Sequence, residues 1–323
     1  GNIQRNAIVT VPNIITPNCE NYWVTEDRPV GALSGKFTVN ASGKQVYFSA
    51  GNLQYQASTE TWRFAPNQED VVGLNAGSPN LNTTNRDDQE GWIDLFGWGT
   101  SGYDAAYDSY DYNSRPTAVS CSTVNNSYNY YGYGPSKLPS NQIPSISDQG
   151  YTNYDWGVYN DIDYNDATAP HGTYRTLTNV EFSYLLQSRT ASDEQSGLNH
   201  NYDRVSYNGV TGYLIYPDSY NGTRFQSSSS FTPTITAIPE GCAFLPFAGR
   251  RSSGTSSTTT TVANGWESGK GTNGCYWTAT RSSVKLAYAI WLNSNATVAL
   301  DNTYSHRNYG FSVRLVTDVP AAN

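Results

Sequence analysis

Apolar residues in this chain recur at every second position in short runs, separated by clusters of Gly, Asn, Asp and Ser. That is the pattern of β-strands joined by tight turns. Phe37, Val39, Val46 and Phe48 flank the turn-forming stretch Asn40–Lys44 and predict a β-hairpin. Leu53–Phe64 continues at strand spacing. Val205–Tyr216 is divided by Asn208-Gly209, the strongest short hairpin signal. Cys242–Ala248 is apolar and short, as a buried strand is. Ala287–Leu292 and Thr297–Leu300 predict paired strands joined through Asn293-Ser294-Asn295, followed by a polar loop over 301–309. Gly310–Val316 predicts a closing strand with Phe311, Val313 and Leu315 on one face.

One segment departs from period two. Thr178 precedes Glu181 by three residues, a capping box that predicts a helix over Asn179–Arg189. On that helix Val180, Tyr184 and Leu185 can share a face, flanked by Phe182 and Leu186. Many strands with one or two helices make the fold class α+β. Residues 91–99 (GWIDLFGWG) predict close backbone packing against rings, with Trp92, Trp98 and Trp156 as packing residues. Residues 102–170 are too long for a structureless loop and predict either a binding loop or a cover over the core. The Ser/Thr-rich stretches 227–240 and 252–261 read as loops. The organisation expected is a leader over 1–34, a ligand-binding domain over 35–317 and a tail over 318–323.

Composition narrows the function. Charged residues make up 14% and the net charge is −8, so no basic face for nucleic acid is expected. No run approaches the ~20 apolar residues of a membrane span, so the chain is not expected to cross a membrane by a helix. Aromatics make up 14%, with 26 Tyr, and together with Ser, Gly and Asn this is the composition of binding loops. A binding protein of this composition is expected to present a broad, shallow, aromatic-rich and neutral-to-acidic patch. Gly1 reads as a tag scar and the Asn-rich start as a mature N-terminus, which suits a secreted or cell-surface protein, such as an outer-membrane lipoprotein. Of the four cysteines, Cys242 and Cys275 are the pair nearest in sequence that strand-like segments carry; either they pair, or all four are buried free thiols.

The residues of catalysis are not in pattern. His171, His200 and His306 lie far apart, and neither G-x-S-x-G nor H-E-x-x-H occurs. The chain is expected not to be an enzyme and to need no cofactor, a structural calcium ion being the one option kept open. Asp161, Asp163 and Asn165 begin like a calcium loop, but Asp166 and Gly172 stand where Gly and Glu are required. Asp104, Asp108 and Asp111 form a second acidic cluster. Trp291 alternates with Ile290 and Leu292, so its indole is expected either to point outward beside Tyr304, His306 and Tyr309 as a stacking platform, or to lie under a loop. Of Arg250 and Arg251, one is expected to ion-pair inside the fold and the other to edge the site.

Taken in order, GKFTV, QVYFSAGNLQY, WRFA, GWIDLFGWGTSGY, NYDWGVYN, YRTLTNVEFSYLL, YLIYPD, AFLPFAGRR, YWTAT and NYGFSVRLV resemble the "major paralogous" surface proteins of the gut Bacteroidales and Fibrobacter type. Those are similar to the formylglycine-generating branch of C-type-lectin-like folds. The resemblance runs from about Gly35 to Val316 and implies a C-type-lectin-like domain whose first and last strands pair and whose C-terminal strands carry the ligand face. The enzymes of that branch use closely placed cysteines near the C-terminus, and here Cys275 stands alone in that region. Some members are variable proteins of diversity-generating retroelements, in which scattered positions before the terminal strand are diversified. Ile290, Leu292, Val298, Leu300, Gly310 and Phe311 match the constant positions of such a layout, while Lys285 and Trp291 fall outside what adenine-directed change of Asn codons can produce. The resemblance implies a ligand-contacting set of Arg281, Ser283, Tyr288, Trp291, Asn293, Asn295, Thr297, Asp301, Asn302, Tyr304, His306, Asn308 and Tyr309. The function expected is adhesin- or receptor-like recognition of a surface ligand, protein or glycan. The alternatives are a structural or tip subunit of a surface assembly and, third, a formylglycine-generating-type enzyme.

Overall fold

A computed structural model describes residues 28–56, 59–72, 92–103, 146–147, 151–189, 201–225, 227–228, 230–252, 266–268, 271–283, 286–293, 298–299, 305–306 and 309–320. Strands β1 (Phe37–Thr38) and β2 (Gln45–Phe48) form the first hairpin, with Phe37 opposite Val46. β3 (Leu53–Gln56) and β4 (Thr61–Phe64) form the second, and β5 (Trp92–Ile93) adds to β3. A short helix, α1 (Trp156–Tyr159), precedes the one that the capping box predicts. Strand β6 (Ile162–Tyr164) runs parallel to β4 and turns back into β7 (Ala167–Ala169). β8 (Arg175–Thr176) leads into α2 (Asn179–Ser183).

The second half is almost all strand. β9 (Tyr202–Tyr207) and β10 (Val210–Ile215) pair across Asn208-Gly209, whose φ angles of 49° and 79° are those of the expected type I′ turn. β11 (Thr234–Ile235) joins β9 in parallel, and β12 (Ala243–Pro246) pairs with β10. β13 (Arg250–Ser252) pairs with β14 (Trp266–Ser268). β15 (Asn273–Arg281) and β16 (Leu286–Asn293) make the longest hairpin, to which β17 (Val298–Ala299) and β18 (Ser305–His306) attach along β16. β19 (Leu315–Asp318) returns to the start and lies between β2 and β8. Mixed sheets with few helices make this an α+β or mostly-β architecture. Val316 faces Phe48 and Thr317 faces Tyr47, so among the described residues the first hairpin meets the last strand, through β2 and not through β1. Residues 32 and 33, ahead of the start expected at Gly35, already join this sheet: Ala32 bridges Ser49, and the Leu33 amide bonds to the Phe48 carbonyl.

Among the described residues the core is three large clusters and a small fourth one of Val71, Leu95 and Ala248. The first gathers Leu53, Trp62, Phe64, Phe96, Trp98, Trp156, Trp277 and Phe311. The second gathers Phe37, Phe48, Phe182, Leu245, Tyr276 and Ile290, and the third surrounds Leu214, Tyr216 and Phe244. Trp92, Trp98 and Trp156 are buried packing residues, as expected. The GWIDLFGWG stretch is locked to β15 by exchange of indole bonds: Trp98 Nε1 donates to the Thr278 carbonyl at 2.7 Å, and Trp277 Nε1 to the Phe96 carbonyl at 2.6 Å.

Two expectations are corrected here. The capping box is present, with Thr178 Oγ1 accepting from the Glu181 amide. The segment, however, is α-helical only to Ser183 and then widens into a π-turn over Tyr184–Ser188, closed by the Arg189 amide on the Tyr184 carbonyl at 2.7 Å. Its buried side chains are Phe182, Leu185 and Leu186, while Val180 is 70% exposed. Both stripes have helical spacing, and the position of β1 and β15 against the helix selects between them. The Cys242–Cys275 pairing is also wrong: both thiols are free and buried, because Cys242 packs in the third cluster and Cys275 in the first. Burial pushes each thiol up to about 12. Cys19 and Cys121 lie outside the described residues.

An ion-pair cluster ties the terminal strand to α2. Arg175 is bidentate to Glu181, with both contacts 2.8 Å, and also reaches Asp318 at 2.6 Å; Lys44 adds a contact to Asp318 at 3.0 Å. Burial raises the pKa of both carboxyls, but the hydrogen bonds and charge of Arg175 outweigh it and hold both below the usual carboxylate range. A depressed carboxyl contributes stability above its unfolded pKa and loses it as pH falls through the folded value. Urea midpoints measured down a pH series are therefore expected to fall steeply below pH ~4, and Arg175→Gln is expected to flatten that acid limb. An unchanged limb in the variant would remove this cluster from the account.

Candidate functional site

The expected ligand set centres on the β15–β16 hairpin, and its packing decides what it can present. Along β15, Cys275, Trp277 and Ala279 enter the first core cluster, while Tyr276 enters the second. Along β16, Ala287, Ala289 and Trp291 face the first, while Ile290 and Leu292 face the second. The hairpin is thus braced on both faces. Thr278 Oγ1 donates to the Tyr288 carbonyl at 2.9 Å, and the hydroxyl of Tyr213 donates to the Asn293 carbonyl at 3.2 Å. A register shift between Trp277 and Arg281 leaves Arg281 opposite Ala287 near the turn. The turn itself closes through the amides of Ser282 and Ser283 on the Leu286 carbonyl.

Trp291 does not project as a stacking platform. Its face of β16 belongs to the core, and the small Ala287 and Ala289 beside it leave room for large rings. Phe311 lies edge-on to its indole with centroids 6.0 Å apart, and the Arg250 guanidinium sits 4.3 Å from the ring centroid. Its Nε1 is buried with no hydrogen-bond partner among the described residues. The side chain of Arg251 lies outside the described residues, and of the two arginines it is Arg250 that covers a face of this ring. The partner it covers lies 41 positions further on, a pairing that no local pattern signals.

The other members divide as follows. Arg281, Ser283, Tyr288 and Asn293 are partly exposed on the hairpin, and Tyr309 is partly buried against Phe311 at 6.1 Å. His306 is placed by backbone pairing opposite Leu286, its side chain lying outside the described residues. Asn295, Thr297, Asp301, Asn302, Tyr304 and Asn308 lie wholly outside them, as do the acidic Asp104, Asp108 and Asp111. The structure therefore gathers Arg281, Ser283, Tyr288, Trp291, Asn293 and the His306 backbone on one sheet.

The calcium-loop start is a hairpin. Asn165 and Asp166 take φ of 48° and 61° as the turn between β6 and β7. The carboxylate of Asp163 accepts from the Thr168 hydroxyl at 2.7 Å, and that of Asp161 from the His171 amide at 2.7 Å. These hydrogen bonds hold the Asp161 carboxyl below its usual range. Among the described residues no group of three or more His, Cys, Asp or Glu is placed to hold a metal ion, and no helix is long and apolar enough to cross a membrane.

Two buried charges serve the scaffold. Burial pushes the Asp155 carboxyl up; it caps α1 and accepts the Thr176 amide at 2.9 Å. Arg314 is fully buried behind the same hairpin and donates to Gln68 Oε1 at 2.9 Å and to the Phe244 carbonyl at 3.3 Å, burial pulling it down to about 10. No family model matches the chain, and no curated protein or solved structure is significantly similar to it.

Proposed function

We propose that this chain is a non-enzymatic, surface-displayed ligand-binding protein of C-type-lectin-like architecture, with its ligand face on β15–β18. One observation carries the reading. The longest hairpin is braced by core on both sides, and it still leaves Arg281, Ser283, Tyr288 and Asn293 partly exposed along it. Recognition needs contact side chains on a scaffold that does not reorganise, because ordering a loose site costs affinity. The pairing of β2 with β19 is the closure such a domain requires. Arg and Tyr are side chains that dominate protein hot spots.

The test is binding of the full chain to a mixed array of glycans and surface proteins, with and without chelator. An Arg281→Ala/Tyr288→Ala variant of unchanged melting temperature is expected to lose at least ~10-fold in affinity, the range of a truncated hot spot, and chelator is expected to leave binding intact. A variant that binds like the parent would move the ligand face elsewhere.

A further inference from the structure

Asn is followed by Gly at Asn208-Gly209, Asn221-Gly222, Asn264-Gly265 and Asn273-Gly274. Such a pair carries its own reaction. The backbone nitrogen after an Asn can attack the side-chain amide carbon, and Gly, with no Cβ, obstructs that approach least. The attack needs a side chain and an amide that nothing fastens, because a fastened group reacts only from a locally opened state. The fold treats these pairs differently. Asn208 sits in the β9–β10 turn with φ of 49°, and its Nδ2 donates to Glu69 Oε1 at 2.8 Å. Gly274 is buried within β15 opposite Leu292, and the Asn273 carbonyl accepts the Gly249 amide at 2.8 Å. Asn264-Gly265 lies outside the described residues.

Asn221 and Gly222 are both exposed, and among the described residues neither the Asn221 side chain nor the Gly222 amide has a hydrogen-bond partner. The turn is held at its ends instead. The Tyr220 amide bonds to the Pro217 carbonyl at 3.1 Å, and the Tyr220 hydroxyl donates to the Thr223 carbonyl at 2.9 Å. Beyond it, the Asp203 carboxylate accepts the amides of Phe225 at 3.0 Å and Ser227 at 2.8 Å. A Cβ on Gly222 would come within 2.7 Å of the Tyr220 hydroxyl oxygen, so Tyr220 closes over the bare glycine. From these contrasts we infer that Asn221 is a site of spontaneous deamidation in the folded protein, with water as its co-reactant. The Gly222 nitrogen gives its proton to solvent base and bonds to Asn221 Cγ. The Cγ–Nδ2 bond breaks, Nδ2 leaves as ammonia with a proton from solvent, and a succinimide ring closes. Water then adds to either ring carbonyl and breaks that carbonyl's bond to nitrogen, giving aspartate or isoaspartate. One water is consumed and one ammonia released, with no oxidation or reduction. The product places a new negative charge on the turn between β10 and the segment that Asp203 holds, in a chain already at −8.

The full chain is incubated folded in warm, mildly alkaline buffer and mapped over time by tryptic digestion and tandem mass spectrometry. The peptide 205–224, between Arg204 and Arg224, carries both Asn208 and Asn221, so each molecule supplies its own control. Asn221 is expected to convert about 10-fold faster than Asn208, the worth of one hydrogen bond to a charged group. In urea the two rates are expected to converge, because the chemistry is the same and only the fold separates them. Asn221→Gln, whose ring closure would need an extra carbon, is expected to stay unconverted at that position while Asn208 and the melting temperature stay as in the parent. No conversion at Asn221, or conversion of Asn208 or Asn273 as fast in the folded chain, would overturn the inference. So would a preference for Asn221 that persists unchanged in urea, since the fold would then not be its cause.

Discussion

Asp218→Ala is expected to destabilise the protein by about 3 kcal/mol, the lower end of what removing one partner from a buried ion pair costs. Arg189 follows the π-turn and is 5% exposed, its guanidinium donating to Asp218 Oδ1 at 2.9 Å and to the Tyr216 carbonyl at 2.7 Å. The second oxygen of Asp218 accepts from Thr38 Oγ1 and from Gln45 Nε2, both at 2.7 Å. One carboxylate therefore holds together the end of the helical segment, the first hairpin and the strand end after β10. Burial lowers the pKa of Arg189, and Asp218 opposes that change. Without the carboxylate a buried cation keeps only carbonyl partners. The Asp218 side chain is 24% exposed, so water enters and the cost stays at the lower end. An Arg189→Met/Asp218→Ala double variant is expected to recover most of the loss, since paired removal of buried charges is often near neutral. Urea unfolding of the four forms measures the cycle. A single Asp218→Ala cost under ~1 kcal/mol, the scale of an exposed pair, would show that the clamp is ornamental.

Trp277→Ala is expected to cost about 3–5 kcal/mol, the range for deleting a large buried aromatic. The indole is fully buried, lies 4.3 Å from the Phe311 ring between centroids, and donates through its Nε1 to the Phe96 carbonyl. Its removal opens the first core cluster beneath the β15–β16 hairpin and frees the 92–99 stretch from one of its two indole ties to β15. Trp277→Phe is expected to cost less, because it keeps the ring contact and loses the hydrogen bond. If the hairpin is the rigid support for recognition, Trp277→Ala should weaken array binding even at temperatures where the protein stays folded. A variant that melts lower but binds as the parent would separate scaffold stability from the site.

Several features were legible because their causes are local. Thr178 and Glu181 satisfy free amides of the first helical turn wherever the helix packs. Asn208-Gly209 reverses the chain because both residues tolerate positive φ. Phe311, Val313 and Leu315 share one cluster as alternation along extended backbone requires, although the closing strand expected over Gly310–Val316 is observed as β19 over Leu315–Asp318, with Phe311 and Ser312 held by isolated bridges.

Other features depend on what lies opposite. Alternation put Trp291 on the face away from Ile290 and Leu292, which is correct, but period two cannot say whether that face meets water or a second core. Here it meets Phe311 and Arg250. Asp161, Asp163 and Asn165 have the spacing of an ion loop; pairing between Ile162 and Ala169 turns the same residues into a hairpin. Cys242 stands just ahead of the buried β12 and Cys275 lies in β15, and the packing of the two thiols in separate clusters keeps them apart.

The sequence alone determined the turns, the helix start and the alternating faces of the strands, since each arises from neighbours along the chain. The tertiary structure decided which faces are buried twice, which arginine covers Trp291, where the helix widens to deliver Arg189, and that the first hairpin meets the last strand through β2. Those outcomes depend on contacts between residues far apart in the chain, such as Phe48 with Val316, 268 positions on, and their free energy comes from burial and pairing that no short stretch contains.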